Sequence, residues 1–416
     1  MRQTKLALAV MAAAILTACG SGSPTGGDQS TKVKFSAQVT FGDSLADVGT
    51  YAVGTIKNLG GGKFTINGNN TAINPALTGK NWTELMAAQF SLSAPCPAMT
   101  GLDGDASQGF KVPVATYTGC YGYAQGGARV TNPVGPGNKF TGSPVGALSS
   151  AATAAGTTAG TQAFGASLVA QLAAGAPNPQ TAAQAIGLAL ATESARPGHT
   201  DTTVVQAAVT AAVLAGNAAV ASPAVYGPMV VKAQADGAAA GAKAGADYAA
   251  AHAPELVQAM ATAGTDLVTL VKSQLVGNGA KYVTVNNLPD ASITPYAMAQ
   301  STSNQQLVAA MVKAFNDALS AGLSNVDGVL LVDLFYLSHD QAVNPAPYGL
   351  TNVKDTACDL SPAKNPLDSS LVCNGSNLKA GDVSHYAFAD DVHPTPFLNQ
   401  LLARYVSEKL VIKGWL

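Results

Sequence analysis

An alanine-rich segment fills the middle of this 416-residue chain and constrains its fold more than any other feature. Alanine accounts for 22 of the 60 residues in 201–260. Because alanine has the highest helix propensity and no branch at Cβ, residues from about 146 to 272 are predicted to be helical. The segment has no fixed repeat of roughly 20–50 residues, which argues against a solenoid. We therefore expect a helical insertion at 146–265, packed on a main domain.

Outside the insertion, apolar patterning predicts an α/β fold with a parallel sheet. Alternating apolar residues at 33–41 predict a strand, whereas 60–75 and 95–145 are rich in loop-forming residues. Two buried strands are predicted at 281–285 and 329–333, with a helix between them at 307–320. A closing helix is predicted at 397–410.

Residues 1–18 are predicted to form a signal peptide. Two basic residues precede the apolar run 6–16, which as a helix spans only about 16 Å, against a hydrocarbon core of ~30 Å. The following Leu-Thr-Ala-Cys resembles a bacterial lipobox, so Cys19 is the predicted lipidation site and 19–31 a tether before a domain at 32–416. We expect export and anchoring by this lipid alone at the outer membrane or cell surface. An ordinary secretory cleavage site is the alternative.

Four further cysteines fit an exported protein. An even number predicts two disulfides, which four cysteines can form in three ways. We expect the pairing Cys96–Cys120 with Cys358–Cys373, because it closes the shortest loops. A zinc site is the alternative, but neither Cys-x-x-Cys nor His-Glu-x-x-His spacing occurs, so no metal is predicted. The net charge of −2 argues against a nucleic-acid partner.

A Gly-Asp-Ser sequence follows the predicted strand at 33–41. Ser44 would be exposed at the end of that strand, where Gly42 permits the tight turn that this exposure needs. A serine hydroxyl becomes an effective nucleophile when a neighbouring base takes its proton. The alternative is a serine in an ordinary turn or at a helix N-cap.

An Asp-x-x-His-Pro sequence near the C-terminus supplies a candidate base. The spacing lets one tight loop present Asp390 to the Nδ1 side of His393, which leaves Nε2 free to face a serine. Pro394 disfavours a helix at this point. A second Asp-x-x-His occurs at Asp382 and His385, but it lacks the proline and threonine that follow His393. The alternative is a surface loop with solvated aspartates.

Together these segments resemble the GDSL (SGNH) hydrolase family. The run 41–49 (FGDSLADVG) is similar to the first sequence block of the family, 123–128 (YAQGGA) to the second and 390–394 (DDVHP) to the last. The resemblance implies a flavodoxin-like parallel sheet flanked by helices, with Ser44 as the nucleophile. It also implies that the backbone N–H groups of Ser44 and Gly126 hold the oxyanion.

The chain departs from the family at the third block, a strand that ends in Gly-x-Asn-Asp. In the family, the asparagine of this block is a third oxyanion donor. Asn217 is the nearest match between 128 and 265, but it lies in predicted helix and no aspartate follows it. Because one missing donor typically lowers kcat by about 10²–10³-fold, the departure bears on activity.

The resemblance implies hydrolysis of acyl or lipid esters through an acyl-serine, with His393 as base, Asp390 orienting it and no cofactor. One alternative is an acyltransferase on the same fold. Another is a cell-surface binding lipoprotein whose hydrolase site has decayed, which the missing third block favours. The insertion is expected to be a helical buttress, with a lid over the acyl group as the alternative.

Overall fold

The computed structural model describes residues 33–104, 106–127 and 144–416. The predicted signal peptide, the lipidation site at Cys19 and the tether lie outside the described residues. Within the described ranges, no helix has both the length and the apolar character needed to cross a membrane. This part of the chain is mixed α/β, with helices predominating over small open sheets.

The α-helices and β-strands are numbered in chain order. The described α-helices are α1 (Gly54–Asn58), α2 (Trp82–Gln89), α3 (Pro144–Ala173), α4 (Pro179–Ser194), α5 (Asp201–Leu214), α6 (Pro223–Leu270), α7 (Pro295–Met298), α8 (Thr302–Leu323), α9 (Leu334–Val343) and α10 (Pro396–Lys413). The described strands are β1 (Met99–Asp103), β2 (Lys111–Thr116), β3 (Val283–Asn286), β4 (Val329–Val332), β5 (Asn352–Thr356) and β6 (Tyr386–Phe388).

The alanine-rich segment is helical, as its composition predicts, and forms α3 to α6. Helices α3 and α6 pack so closely that a Cβ on Gly156 would lie 2.8 Å from the carbonyl oxygen of Gly241. Glycine on both helices permits this approach of the two backbones. Further along α6, a Cβ on Gly264 would lie 2.7 Å from the carbonyl oxygen of Phe315 in α8. Small residues therefore attach the long helix to the part of the molecule that contains the sheets.

Strands β3 and β4 form the parallel pair that the sequence predicts. Val283 lies opposite Val329, and Asn286 lies opposite Val332. Helix α8 connects the two strands and packs Phe315 and Leu319, both fully buried, into their core. The predicted helices at 307–320 and 397–410 are confirmed as α8 and α10, each a few residues longer than expected.

The strand predicted at 33–41 is wrong. Only Thr40 pairs, through a single bridge to Gly122, while Val39 and Phe41 are 52% and 53% exposed. The apolar alternation therefore faces solvent at these positions, whereas Thr40 on the opposite face is buried. An extended segment with one paired residue cannot build a sheet, and the described strands form three separate pairs.

Two strand pairs were not predicted. Strands β1 and β2 form an antiparallel hairpin within the expected loop region 95–145, and β5 and β6 pair in parallel. Strand β2 is largely exposed and contains Pro113, and proline argues against a strand in sequence analysis. Strand β5 (NVKDT) lacks the apolar alternation of a half-buried strand.

Both predicted disulfides are confirmed. Cys96 bonds to Cys120 across 24 residues, and Cys358 bonds to Cys373 across 15. The first places Cys96 beside Gly122, whose N–H donates to the carbonyl oxygen of Cys96. Disulfides are typical of oxidising compartments, which supports an extracellular or periplasmic protein.

Candidate active site

Ser44 lies in a tight turn. The Asp43 carboxylate accepts a hydrogen bond from the N–H of Leu45 at 2.9 Å, and the Asp43 carbonyl accepts one from the N–H of Ala46 at 3.1 Å. Gly42 begins the turn with φ +137°, a backbone conformation that favours glycine. These contacts fix the backbone on both sides of Ser44 and leave its side chain partly exposed.

Asp390 is held by backbone donors in the loop before α10. Its Oδ1 accepts hydrogen bonds from the N–H groups of Val392 at 3.0 Å and His393 at 2.8 Å. Its Oδ2 accepts one from the N–H of Ser370 at 2.6 Å. The N–H of Ala389 closes the loop on the carbonyl oxygen of His393 at 2.7 Å. The carboxylate is only 4% exposed, so these donors replace the water that it loses on folding.

The structure brings the three predicted catalytic side chains together. His393 Nε2 lies 2.9 Å from Ser44 Oγ, across a separation of 349 residues. His393 Nδ1 lies 2.8 Å from each carboxylate oxygen of Asp390. With Asp390 ionised, Nδ1 carries the proton and donates it to the carboxylate, so Nε2 accepts a hydrogen bond from the Ser44 hydroxyl. This geometry can transfer the serine proton to the imidazole.

The local charges favour the same assignment. Burial alone would raise the pKa of Asp390, but the charge and hydrogen bond of His393 and the Ser370 N–H hold that pKa well below its usual range. Burial lowers the pKa of His393, but the charge and hydrogen bond of Asp390 and the charge of Asp43 outweigh it. The pKa of His393 is therefore raised above its ordinary value of 6.5. The imidazolium that would form during proton transfer is thus stabilised.

Residues from the expected loop at 60–75 contact His393 and the segment that holds Asp390. The Phe64 ring lies 4.8 Å from the His393 ring, centroid to centroid. Asn67 Nδ2 donates to the carbonyl oxygens of Ser370 and Cys373, both at 3.0 Å. Since Cys373 is disulfide-bonded and the Ser370 N–H holds Asp390, this network fixes the carboxylate. The sequence does not predict this network, because more than 300 residues separate Asn67 from Ser370 and Cys373.

The N–H of Gly126, which is predicted to hold the oxyanion, has a hydrogen-bond partner within the protein. It donates to Asp47 Oδ2 at 3.0 Å and is therefore not free to hold an oxyanion. A Cβ at this position would lie 2.1 Å from atoms of the Phe64 ring. Close packing against Phe64 thus accounts for glycine here without any role in oxyanion binding.

Asp47 lies in the run 41–49, which also contains Ser44, and joins this run to the segment that contains Gly126. Its carboxylate is buried and also accepts hydrogen bonds from the N–H groups of Gly49 and Thr50, both at 2.8 Å. Burial raises the pKa of Asp47 to about 6, although these donors and the Gly126 N–H oppose the shift. A buried aspartate in the run 41–49 could not be distinguished by sequence from a solvated one.

We expect Asp47 to make stability depend on pH. The folded chain binds this proton more tightly than the unfolded chain, so the free energy of unfolding falls as pH rises from about 4 through about 6. Asp47→Asn should reduce this fall by ~3 kcal/mol, measured by denaturant unfolding at several pH values. Asp103→Asn, at an exposed position, should retain it. An identical fall in the Asp47 variant would contradict the assignment.

Asn217 is not a third oxyanion donor. Its Nδ2 donates to the carbonyl oxygen of Leu172 at 2.8 Å, and the side chain is buried in the helical segment beside Gly175. It therefore links parts of the helical segment. The other predicted oxyanion donor is the backbone N–H of Ser44. Unlike the N–H of Gly126, it has no hydrogen-bond partner in the described part of the chain.

Two other Asp–His combinations do not form a triad. His385 Nδ1 bonds to the carbonyl oxygen of Gly349 at 2.9 Å and not to Asp382. His339 Nδ1 lies 2.9 Å from Asp290 Oδ2, but within the described residues no serine bonds to its other ring nitrogen, and the side chain is 55% exposed. The described ranges contain no group of three or more histidine, cysteine or carboxylate side chains that could hold a metal ion.

No family model matches the chain, and no curated protein matches it at a significant level. Function is therefore inferred from the geometry of the site and from the sequence blocks around it.

Proposed function

We propose that this chain hydrolyses carboxylic esters through an acyl-serine intermediate, as a member of the GDSL (SGNH) hydrolase family. The observation that supports the proposal is the continuous hydrogen-bonded series from Asp390 through His393 to Ser44 Oγ. The same residues lie in the two sequence blocks, 41–49 and 390–394, that resemble the family. Acyl or lipid esters are the proposed substrate class.

The proposed mechanism has two steps. His393 Nε2 removes the Ser44 proton as Oγ attacks the ester carbonyl carbon, and Asp390 stabilises the imidazolium that forms. The imidazolium then gives its proton to the leaving alcohol, which departs as the acyl-serine forms. In the second step His393 takes a proton from a water molecule as the water oxygen attacks the acyl carbon, and the imidazolium then returns this proton to Ser44 Oγ as the acyl–oxygen bond breaks and the carboxylic acid leaves. The Ser44 N–H stabilises the oxyanion in both steps.

The oxyanion would receive little help from the protein. The Gly126 N–H is engaged by Asp47, and Asn217 lies in the helical segment. Each missing donor typically costs about 10²–10³-fold in kcat. We therefore expect a slow enzyme that acts best on esters with acidic leaving groups such as p-nitrophenol, because these depend least on stabilisation of the oxyanion.

The proposal includes the type of sheet and the place of the protein in the cell. The parallel pairs β3–β4 and β5–β6 would be parts of a flavodoxin-like sheet flanked by helices, with 146–265 inserted as a buttress. The domain at 32–416 would be exported and anchored to the outer membrane or cell surface through lipidated Cys19. The two disulfides support an oxidising compartment.

A surface binding protein derived from a hydrolase is the second candidate. The observation that favours it is the engagement of the Gly126 N–H by Asp47, which removes an oxyanion donor that the family uses. In this case Ser44 and His393 would retain their geometry without turnover, and no ester would be hydrolysed above background.

A panel of p-nitrophenyl esters from acetate to palmitate distinguishes these candidates. The full chain should release p-nitrophenol from at least the shorter esters, and His393→Gln should lose most of this activity because no base remains. His385→Gln is the matched control, since this histidine bonds to Gly349 away from the serine, and it should retain activity. Failure of the wild type on every ester would contradict the proposal and favour the binding protein.

The pH profile of hydrolysis should follow His393. The imidazole must be neutral to accept the serine proton, and its pKa is raised above 6.5. We expect kcat/KM to increase with pH and to reach half its maximum above pH 6.5. Asp390 remains ionised throughout this range because its pKa is low. A half-maximum below pH 6.5, or no dependence on pH, would exclude His393 as the base.

A further inference from the structure

A cavity of about 120 Å³ lies beside the catalytic residues. Its wall includes Leu45, which follows the nucleophile in the chain, and Val392 and Pro394, which flank His393. The remaining wall is mostly apolar and comes from α9, α10 and the segments that follow β3 and end β6: Ile293, Leu334, Leu337, Phe388, Leu398 and Leu402. An apolar space therefore adjoins the two segments that contain Ser44 and His393.

The size of the cavity limits what it can hold. A water molecule takes up about 30 Å³ of liquid, so the cavity accommodates on the order of four groups of that size. A methylene group is about as large as a water molecule. The cavity therefore matches an acyl chain of short to medium length better than a palmitoyl chain.

One polar side chain in the wall is unsatisfied. Gln341 in α9 is 5% exposed, and its Nε2 is buried without a hydrogen-bond partner among the described residues. The other polar side chains of the wall are bonded within the protein. These are Asp290 to His339, Thr294 to the Ala291 carbonyl and Ser338 to the Phe335 carbonyl.

A buried donor without a partner is unfavourable, and a ligand oxygen in the cavity would supply the missing acceptor. We propose that the cavity binds the acyl chain of the substrate and that this chain carries an oxygen, as a hydroxyl, oxo or ether group, which accepts a hydrogen bond from Gln341. This inference rests on the proposed esterase function, because the bound chain would be the acyl group that Ser44 carries. A purely hydrocarbon chain would leave the amide unpaired.

The test compares p-nitrophenyl hexanoate with analogues in which an ether oxygen replaces each chain methylene in turn. For each analogue, the ratio of its kcat/KM to that of hexanoate is measured in the wild type, Gln341→Leu and Gln274→Leu. We expect Gln341→Leu to lower this ratio by about three- to tenfold for at least one oxygen position, the effect of one hydrogen bond. Gln274 is exposed near the end of the long helical segment, and its variant should leave the ratios unchanged.

Binding without turnover separates this inference from the esterase proposal. Calorimetry with hexanamide and its ether analogues, using the Ser44→Ala chain, should show the same preference for one oxygen position. A binding preference without any ester hydrolysis by the wild type would support the site and contradict the esterase. Equal binding of all the amides, or ratios that Gln341→Leu does not change, would overturn the inference even if esters are hydrolysed.

Discussion

Ser44→Ala is expected to lower the rate of p-nitrophenyl ester hydrolysis by at least about 10³-fold. The reason is that Ser44 Oγ is the atom to which the acyl group would be transferred, and it lies 2.9 Å from His393 Nε2. Without the hydroxyl, no acyl-serine forms, and only direct attack by water remains. The substitution leaves the backbone N–H of residue 44 in place, so the residual oxyanion stabilisation is retained. The rate is measured by release of p-nitrophenol from the ester that the wild type hydrolyses fastest.

Ser150→Ala is the matched control for this loss. Ser150 is exposed on α3, and its hydroxyl donates to the carbonyl oxygen of Gly146 one turn earlier. The control should hydrolyse the ester at the wild-type rate, and circular dichroism should show both variants folded. A folded Ser44→Ala chain with wild-type activity would exclude the acyl-serine mechanism for this substrate.

Asp390→Asn is expected to lower kcat by up to about 10⁴-fold. An amide has one oxygen, so it cannot accept all the hydrogen bonds that the two carboxylate oxygens receive from Ser370, Val392 and His393. It also carries no charge to stabilise the imidazolium, and it favours the tautomer in which Nε2 is protonated. In that tautomer His393 donates to Ser44 and cannot take its proton.

Asp382→Asn tests whether removal of a carboxylate from another loop also lowers kcat. Asp382 belongs to the other Asp-x-x-His sequence, where its carboxylate accepts hydrogen bonds from the N–H and the hydroxyl of Ser384. We expect the control to retain wild-type kcat, measured with the same ester. Similar losses in both variants would show that Asp390 acts on folding of the loop and not on His393.

The sequence predicts those features that depend on local composition or on short motifs. The helices between 144 and 270 follow from alanine content, and β3, β4, α8 and α10 follow from apolar periodicity. The two disulfides follow from loop length. The catalytic residues could be selected because Asp390 and His393 share one tight loop, whose conformation depends on residues close together in the chain.

Features that depend on distant packing could not be predicted. The Gly126 N–H has a partner because Asp47 is buried beside it, and nothing in the local sequence indicates that burial. Asn67 Nδ2 and the carbonyl oxygen of Ser370 meet only after the chain has folded over some 300 residues. Gln341 is one of four polar residues in α9, and its unpaired amide becomes evident only once the cavity beside the loop that contains His393 is known.

Covalent trapping tests the role of Ser44 most directly. The full chain is incubated with diethyl p-nitrophenyl phosphate, and the intact mass and the modified peptide are measured by mass spectrometry. We predict the addition of one diethyl phosphoryl group to the wild type, located on Ser44, with none added to Ser44→Ala and much slower addition to His393→Gln. An unmodified wild-type chain, or an adduct that persists in Ser44→Ala, would contradict activation of Ser44 by His393 and Asp390.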